Sequence, residues 1–161
     1  MFSQTVEYAL RAVVCLADRA PSACTTEEIA VATKVPKPYL SKVLQALVRH
    51  KIARSQRGIG GGITLIKTPD QLTLFEIVNA IEPIARIETC PLGLKSHGKQ
   101  LCPLHKRLDE AAAVVQKSFE ETTLSDLLSA PKGVYPLCES PKLAGMGEGV
   151  QPAKKTDSEL P

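Results

Sequence analysis

Residues 25–65 read TTEEIAVATKVPKPYLSKVLQALVRHKIARSQRGIGGGITL, and the order of signals within them decides the fold. Thr25 and Thr26 offer hydroxyl caps, Glu28 stands three residues after Thr25 as in a capping box, and Ile29, Ala30 and Ala32 begin an apolar face. A short helix is predicted to end near Thr33, because Lys34-Val35-Pro36 breaks the pattern. Pro36 or Pro38 then suits an early helical position, where a missing N–H does no harm. In the second helix Leu40, Val43, Leu44 and Leu47 recur at three- and four-residue steps, while Lys37, Tyr39, Ser41, Lys42 and Gln45 fall largely on other faces. One face packs and the other is free to read a surface.

Directly after this pair comes Ser55-Gln56-Arg57-Gly58-Ile59-Gly60-Gly61-Gly62, flanked by strand candidates at Ile52 to Arg54 and Ile63 to Lys67. Glycines here allow positive φ and close approach of one backbone to another. Arg57 is placed at the tip of a hairpin, where an arginine enters a minor groove or forks onto phosphate oxygens. A glycine run alone is weak evidence, and a flexible hairpin with a solvated arginine is the plain alternative. Its position behind a helix-turn-helix pattern favours DNA contact. A nucleotide-phosphate cradle is disfavoured, since no Gly-Lys-Ser/Thr ending is present and no helix opens there. The fold class read from these residues is mainly α with a small β-hairpin wing, a winged helix-turn-helix followed by a long dimerisation helix.

Charge distribution agrees. The net charge is only +3, yet residues 1–68 hold ten Lys/Arg against four Asp/Glu, and residues 69–161 hold ten against thirteen. At 161 residues with 43% hydrophobic content the chain suits one modest core with extensions. Phe2 to Ala17 is predicted as an amphipathic helix with Val6, Ala9, Leu10, Val13, Val14 and Leu16 on its apolar stripe and Cys15 in the core. With Glu7 and Arg11 inside it and no run of about eighteen apolar residues elsewhere, neither a signal peptide nor a membrane span is expected. A cytoplasmic location follows as an expectation. Five cysteines, an odd number, point away from a disulfide framework and toward metal or redox chemistry.

Downstream, Asp70 or Thr73 caps a helix over Leu74 to Ile81 that Pro83 ends. A loop from Ile87 to Leu104 carries two Cys-Pro-Leu tripeptides, and Lys106 to Leu128 is helical with an interruption at Thr122-Thr123. Leu108, Ala112, Val115 and Phe119 form a stripe that can zip against a second copy, with packing inside one chain as the alternative. The expected organisation is a DNA-binding domain over residues 1–84, a Cys/His sensor loop over 85–105, a dimerisation helix over 106–129 and a tail over 130–161. Gly147 to Pro161 has the composition of disorder, and Cys138 lies in the tail without an assigned role.

Glu7-Tyr8-Ala9-Leu10-Arg11-Ala12, the helix-turn-helix, Arg57-Gly58-Ile59-Gly60-Gly61-Gly62 with Leu65, and a cysteine loop before a long helix together resemble the Rrf-two family of bacterial transcription regulators, whose members include IscR, NsrR and CymR. The resemblance spans roughly residues 1–128, and the wing is its most specific part. Ile63 departs from it, standing where the family usually has an aromatic. The resemblance implies a DNA-binding transcription regulator, a repressor, acting as a homodimer on a two-fold symmetric double-stranded operator. It places base-reading residues on Tyr39, Ser41 and Lys42 and a minor-groove arginine on Arg57; Gly58, Gly61 and Gly62 are added because glycines let the wing backbone approach closely. Lys37 joins them on charge alone.

The resemblance also implies an iron-sulfur cluster, of the two-iron kind, that senses redox, iron-sulfur or nitric oxide status. A ligand frame with five residues between neighbours falls here on Cys90, Ser96 and Cys102, followed by His105, so a serine takes the middle position. His97 is adjacent, and Cys90, His97, Cys102 and His105 make four ligand-type side chains within sixteen residues. Zinc is compatible with the same set, and spacing does not choose between the metals. Glu7 is a further candidate ligand, given from the partner chain, against its plainer role as an acid near a helix N-terminus. The runner-up is a metal-free DNA-binding regulator that senses through a Cys90-Cys102 disulfide or a partner protein. An enzyme using Cys90 or Cys102 with His105 is disfavoured, because no oxyanion or substrate motif accompanies them and the reading head would go unexplained. His50 ends the second helix, where its charge favours the helix C-terminus.

Overall fold

Three of the described helices begin in the same way, with a threonine hydroxyl that accepts the backbone N–H of the third helical residue and an acid there that reaches back to the threonine N–H: Thr25 with Glu28, Thr73 with Glu76, Thr123 with Asp126. The computed structural model describes residues 2–93 and 100–129. Its elements run in the order α1 (Gln4–Asp18), α2 (Thr26–Thr33), α3 (Lys37–Arg49), β1 (Ala53–Gln56), β2 (Gly62–Leu65), α4 (Leu74–Ile81), α5 (Pro103–Glu121) and α6 (Leu124–Leu128). The mainly helical fold with one antiparallel hairpin is therefore present as read from the sequence.

α1 forms the spine, packed against α2, α3, α4 and β2. Ala9, Val13, Cys15 and Leu16 meet Ile29 of α2, Leu40, Val43 and Leu47 of α3, and Ile77 of α4, all buried. Cys15 thus occupies the core position expected of it. α2 stops where Lys34 turns left-handed at φ 56°, and α3 restarts from Pro36 with Pro38 in its first turn. That sharp junction sets the two helices of the turn against each other.

The hairpin pairs Ala53 with Leu65 through Gln56 with Gly62. A third short segment joins it. Cys24 donates its N–H to the Ile63 carbonyl at 3.0 Å and accepts from the Ile63 N–H at 2.8 Å. Gly62 lies so close that a Cβ there would stand 2.7 Å from the Cys24 carbonyl oxygen. Ile63, where an aromatic is usual in the resemblance, is buried in the core.

The start of α5 differs from the sequence reading. α5 starts at Pro103 rather than Lys106, because Cys102 is an extended N-cap and Pro103 takes the first helical position. Cys102 and His105 consequently sit on a helix end rather than in a loop. The interruption at Thr122-Thr123 is real, and the chain beyond it returns to the head: Leu124 is fully buried beside Leu72, and the Leu124 N–H donates to the Leu72 carbonyl at 2.8 Å. Gly62→Ala is expected to destabilise the chain by about 1–3 kcal/mol through overpacking, read as a lower urea midpoint; an unchanged midpoint would mean that the strand shifts freely away from Cys24.

Candidate nucleic-acid interface and cysteine segment

Because Leu40, Val43, Leu44 and Leu47 are buried, the opposite face of α3 is fixed as the one that looks outward: Pro38, Tyr39, Lys42, Gln45 and Arg49 are all exposed. Ser41 is half-buried at the edge of a cleft between α3 and the wing, lined by Ser41, Gln45, Val48, Arg49, Ser55 and Ile63. Tyr39 is braced by Tyr8 of α1, with ring centroids 6.2 Å apart. Lys37 is ion-paired with Glu27 of α2, so its charge is partly compensated before any ligand arrives. Gln45 was read from the sequence as facing away from the core but not as a DNA contact, and Arg49 was not singled out, although their places three and seven residues beyond Lys42 put them on its face.

In the wing, the Gly61 N–H donates to the Gly58 carbonyl at 2.9 Å, and Gly60 has φ 75°, the conformation of the third residue of a type II turn. Gly61 is required by closeness, since a Cβ there would lie 2.4 Å from the Gln56 carbonyl oxygen. Arg57 is exposed beside this turn. Arg54 donates from Nε to Thr64 Oγ1 at 3.0 Å across the hairpin, which aligns a second guanidinium on the same ribbon. Residues 29–69 contain eight Lys/Arg and no Asp or Glu. The helix-turn-helix from its second turn through the wing therefore carries no acid of its own, although Glu27 and Glu76 from outside it pair with Lys37 and Lys67; a surplus of positive charge is the condition under which a surface attracts a phosphate backbone.

The other candidate residues lie at the base of α5. Cys102 Sγ and His105 Nδ1 are 3.3 Å apart on its first turn. Cys90 is half-buried, and its carbonyl accepts the Gly93 N–H at 2.9 Å. Ser96 and His97 lie outside the described residues. Among the described residues no three His, Cys, Asp or Glu side chains gather as a metal site, so the structure brings together Cys102 and His105 but not Cys90 with them. Glu7 is ion-paired with Arg11, whose Nη1 also donates to the Thr33 carbonyl at 3.3 Å. Cys24, which carries no signal in the sequence, is buried, and burial pushes its thiol pKa up.

One contact without any sequence signal fixes the segment that carries Cys90. Arg86 donates from Nε and Nη2 to the two carboxylate oxygens of Asp109 on α5, both at 2.7 Å, and the Ile87 N–H donates to Asp109 Oδ1 at 2.8 Å. The paired ends of this fork lie 23 residues apart in the chain.

A family model described as Rrf2, iron-dependent transcriptional regulator, matches residues 2–130. The chain belongs to the Rrf2 family. It is 32% identical over 141 residues to a protein of Aquifex aeolicus named as an HTH-type transcriptional regulator, covering 85% of this chain and 98% of that one. A regulator of Rhodobacter capsulatus named rrf2-like is 35% identical over 155 residues, covering 86% and 99%. Among solved structures, CymR of B. subtilis superposes with a TM-score of 0.66 at 23% identity over 80% of this chain and 96% of its own, and T. potens IscR with 0.66 at 19% over 80% and 85%. At that identity the two structures speak for the fold. This chain is thus an Rrf2-family DNA-binding transcriptional regulator, and no described helix is long and apolar enough to cross a membrane.

The Arg86 fork also has a pH signature. Hydrogen bonds from Arg86, then from the Ile87 amide, push the Asp109 pKa from 3.8 down to about 2. A depressed carboxylate pKa means that the latch is fully present above about pH 4 and is lost as pH falls toward 2. Amide exchange at Ile87 is expected to stay slow at neutral pH in the parent and to quicken in Asp109→Ala; equal exchange in the two would show that the fork does not hold this segment.

Proposed function

We propose that this regulator acts as a homodimer on a two-fold symmetric operator, with α3 in the major groove and the wing against the adjacent minor groove. The observation that carries the reading is the outward row of Tyr39, Lys42, Gln45 and Arg49 on a surface free of acids from residue 29 to residue 69. In this reading Tyr39, Ser41 and Lys42 reach base edges, Arg57 enters the minor groove, and Gly58, Gly61 and Gly62 let the wing backbone approach the duplex. Lys37 contributes less, since Glu27 already pairs with it.

Dimerisation through α5 is supported by its bare apolar face. None of its residues is buried, and Leu104 and Leu108, four residues apart on one face, are 65% and 51% exposed. Phe119, read from the sequence as part of the same stripe, is occupied by Phe2 of its own chain, with ring centroids 5.2 Å apart. The stripe offered to a second copy therefore begins nearer the N-terminus of α5.

Sensing is assigned to Cys90, Cys102 and His105, with His97 or Glu7 completing the set around an iron-sulfur cluster or zinc. Two ligands at ordinary bond lengths from one tetrahedral metal stand about 3.5 Å apart, which the 3.3 Å between Cys102 Sγ and His105 Nδ1 already approaches. A bound metal centre would supply a cation that crosslinks thiolates and imidazole. The protein's own part is mechanical: Asp109 and Arg86 hold the Cys90 segment on α5, so a change at Cys102 and His105 alters how α5 meets the head. The alternative reading is metal-free, with a Cys90-Cys102 disulfide in place of a metal.

Lys42→Ala and Arg57→Ala are expected to weaken operator binding by about 1–3 kcal/mol each, with smaller losses on random duplex at the same salt. Leu108→Asp is expected to sediment as a monomer and to lose the advantage of two half-sites. Unchanged affinity in the first pair and an intact dimer in the third would remove these surfaces from the interface.

Protein prepared without oxygen is expected to contain iron or zinc, with an iron-sulfur absorbance if iron, and Cys102→Ala to lose the metal and the response of DNA affinity to it. A parent chain holding neither metal, whose Cys90→Ala variant binds DNA like the parent, would leave the thiol reading.

A further inference from the structure

The large apolar side chain most exposed on the described surface is at the wing tip: Ile59, at 111% of its reference area. The exposed apolar residues of α5 have a second copy to cover them in the proposed dimer, but no described part of this chain covers Ile59. Gly58 and Gly60 flank it, and a Cβ on either would meet nothing within 4 Å. Nor is it a loose end. Ile59 occupies the second position of the turn closed by Gly61 and Gly58, and that turn is packed so closely at Gly61 that no side chain fits there. A β-branched side chain on such a turn has few rotamers left to lose when it binds.

We infer that Ile59 is a specificity residue, packing into the minor groove beside Arg57 and favouring A·T pairs by excluding the guanine amino group. The inference rests on the reading that the wing meets the minor groove. A·T pairs present only N3 and O2 acceptors there, whereas G·C pairs add the N2 donor. An aliphatic group packs against the sugar walls and the smooth A·T floor, but over G·C it would bury the amino donor without a partner. Arg57, two residues away, supplies attraction to the groove's negative potential. Ile59 adds what a cation lacks, a penalty for the wrong base pair. Discrimination comes from shape and an unmet hydrogen bond.

The test uses the full chain and the duplex it selects from a random pool, at fixed salt. Replacing every adenine of that duplex by 2,6-diaminopurine adds an amino group in the minor groove and leaves the major-groove face that α3 would read unchanged. The parent is expected to bind the substituted duplex about tenfold more weakly. Ile59→Ser, which leaves the fold untouched because the side chain is fully exposed, is expected to bind the unmodified duplex more weakly than the parent and to lose most of the further penalty. A parent that binds both duplexes equally, or an Ile59→Ser variant that keeps the whole penalty, overturns the role of Ile59 while leaving DNA binding in place. Failure of the parent to select any duplex would instead overturn the DNA reading beneath it.

Discussion

The pair of backbone hydrogen bonds between Cys24 and Ile63 is the constraint on which the reading head depends. A two-stranded hairpin alone is marginal in water and swings about its base. Cys24 immediately precedes the Thr25 cap of α2, so pairing it to β2 ties the wing to the start of the helix-turn-helix. Only a glycine at position 62 permits that approach, with a Cβ excluded by the Cys24 backbone. α3 and the wing then flank one cleft, lined by Ser41, Gln45 and Arg49 on one side and Ser55 and Ile63 on the other. The glycine run thus has two separate duties, bending the tip and admitting the neighbouring backbone at its end.

Much of this was legible because helix starts and apolar periodicity are local. Thr25 with Glu28 marked the start of α2, Thr73 was one of two caps read for α4, and the Leu40, Val43, Leu44 and Leu47 spacing fixed the inward face of α3. The start of α5 was misplaced for an equally local reason, since Cys102-Pro103-Leu104 repeats the loop tripeptide at Cys90 and a proline reads as a breaker. Here it is an N1 residue. Contacts between residues distant in the chain left no trace at all. Cys24 is a single extended residue, too short to register as a strand, and the Arg86 to Asp109 fork joins residues that no periodicity relates. For the metal candidates, residue type and spacing were visible, but whether Cys90 approaches Cys102 depends on the path of a segment whose middle lies outside the described residues.

α5 is tied near its start to the segment that carries Cys90 and at its end to the head. Near its start Asp109 grips Arg86 and the Ile87 amide, and at its end the Leu74 N–H donates to the Thr122 carbonyl at 2.9 Å. A helix held at two points transmits displacement as a rigid bar, without needing a chain of side-chain rearrangements between sensor and reader. The proposed metal centre would stand at one of those points, where a small change in ligand geometry has the greatest leverage on the rest.

The burial of Leu124 beside Leu72 carries a consequence for how such a chain changes over time. The head is closed by α6, so the described residues between α4 and α6 are an excursion from one continuous core. Closing a long excursion costs little more than closing a shorter one, because the entropy of ring closure grows only with the logarithm of its length. Residues can therefore be inserted, lost or exchanged around Cys90 without reopening the core beneath. A single reading head can in this way host different chemistries on the same detour, which makes the segment around the cysteines the part of the molecule freest to acquire a new signal.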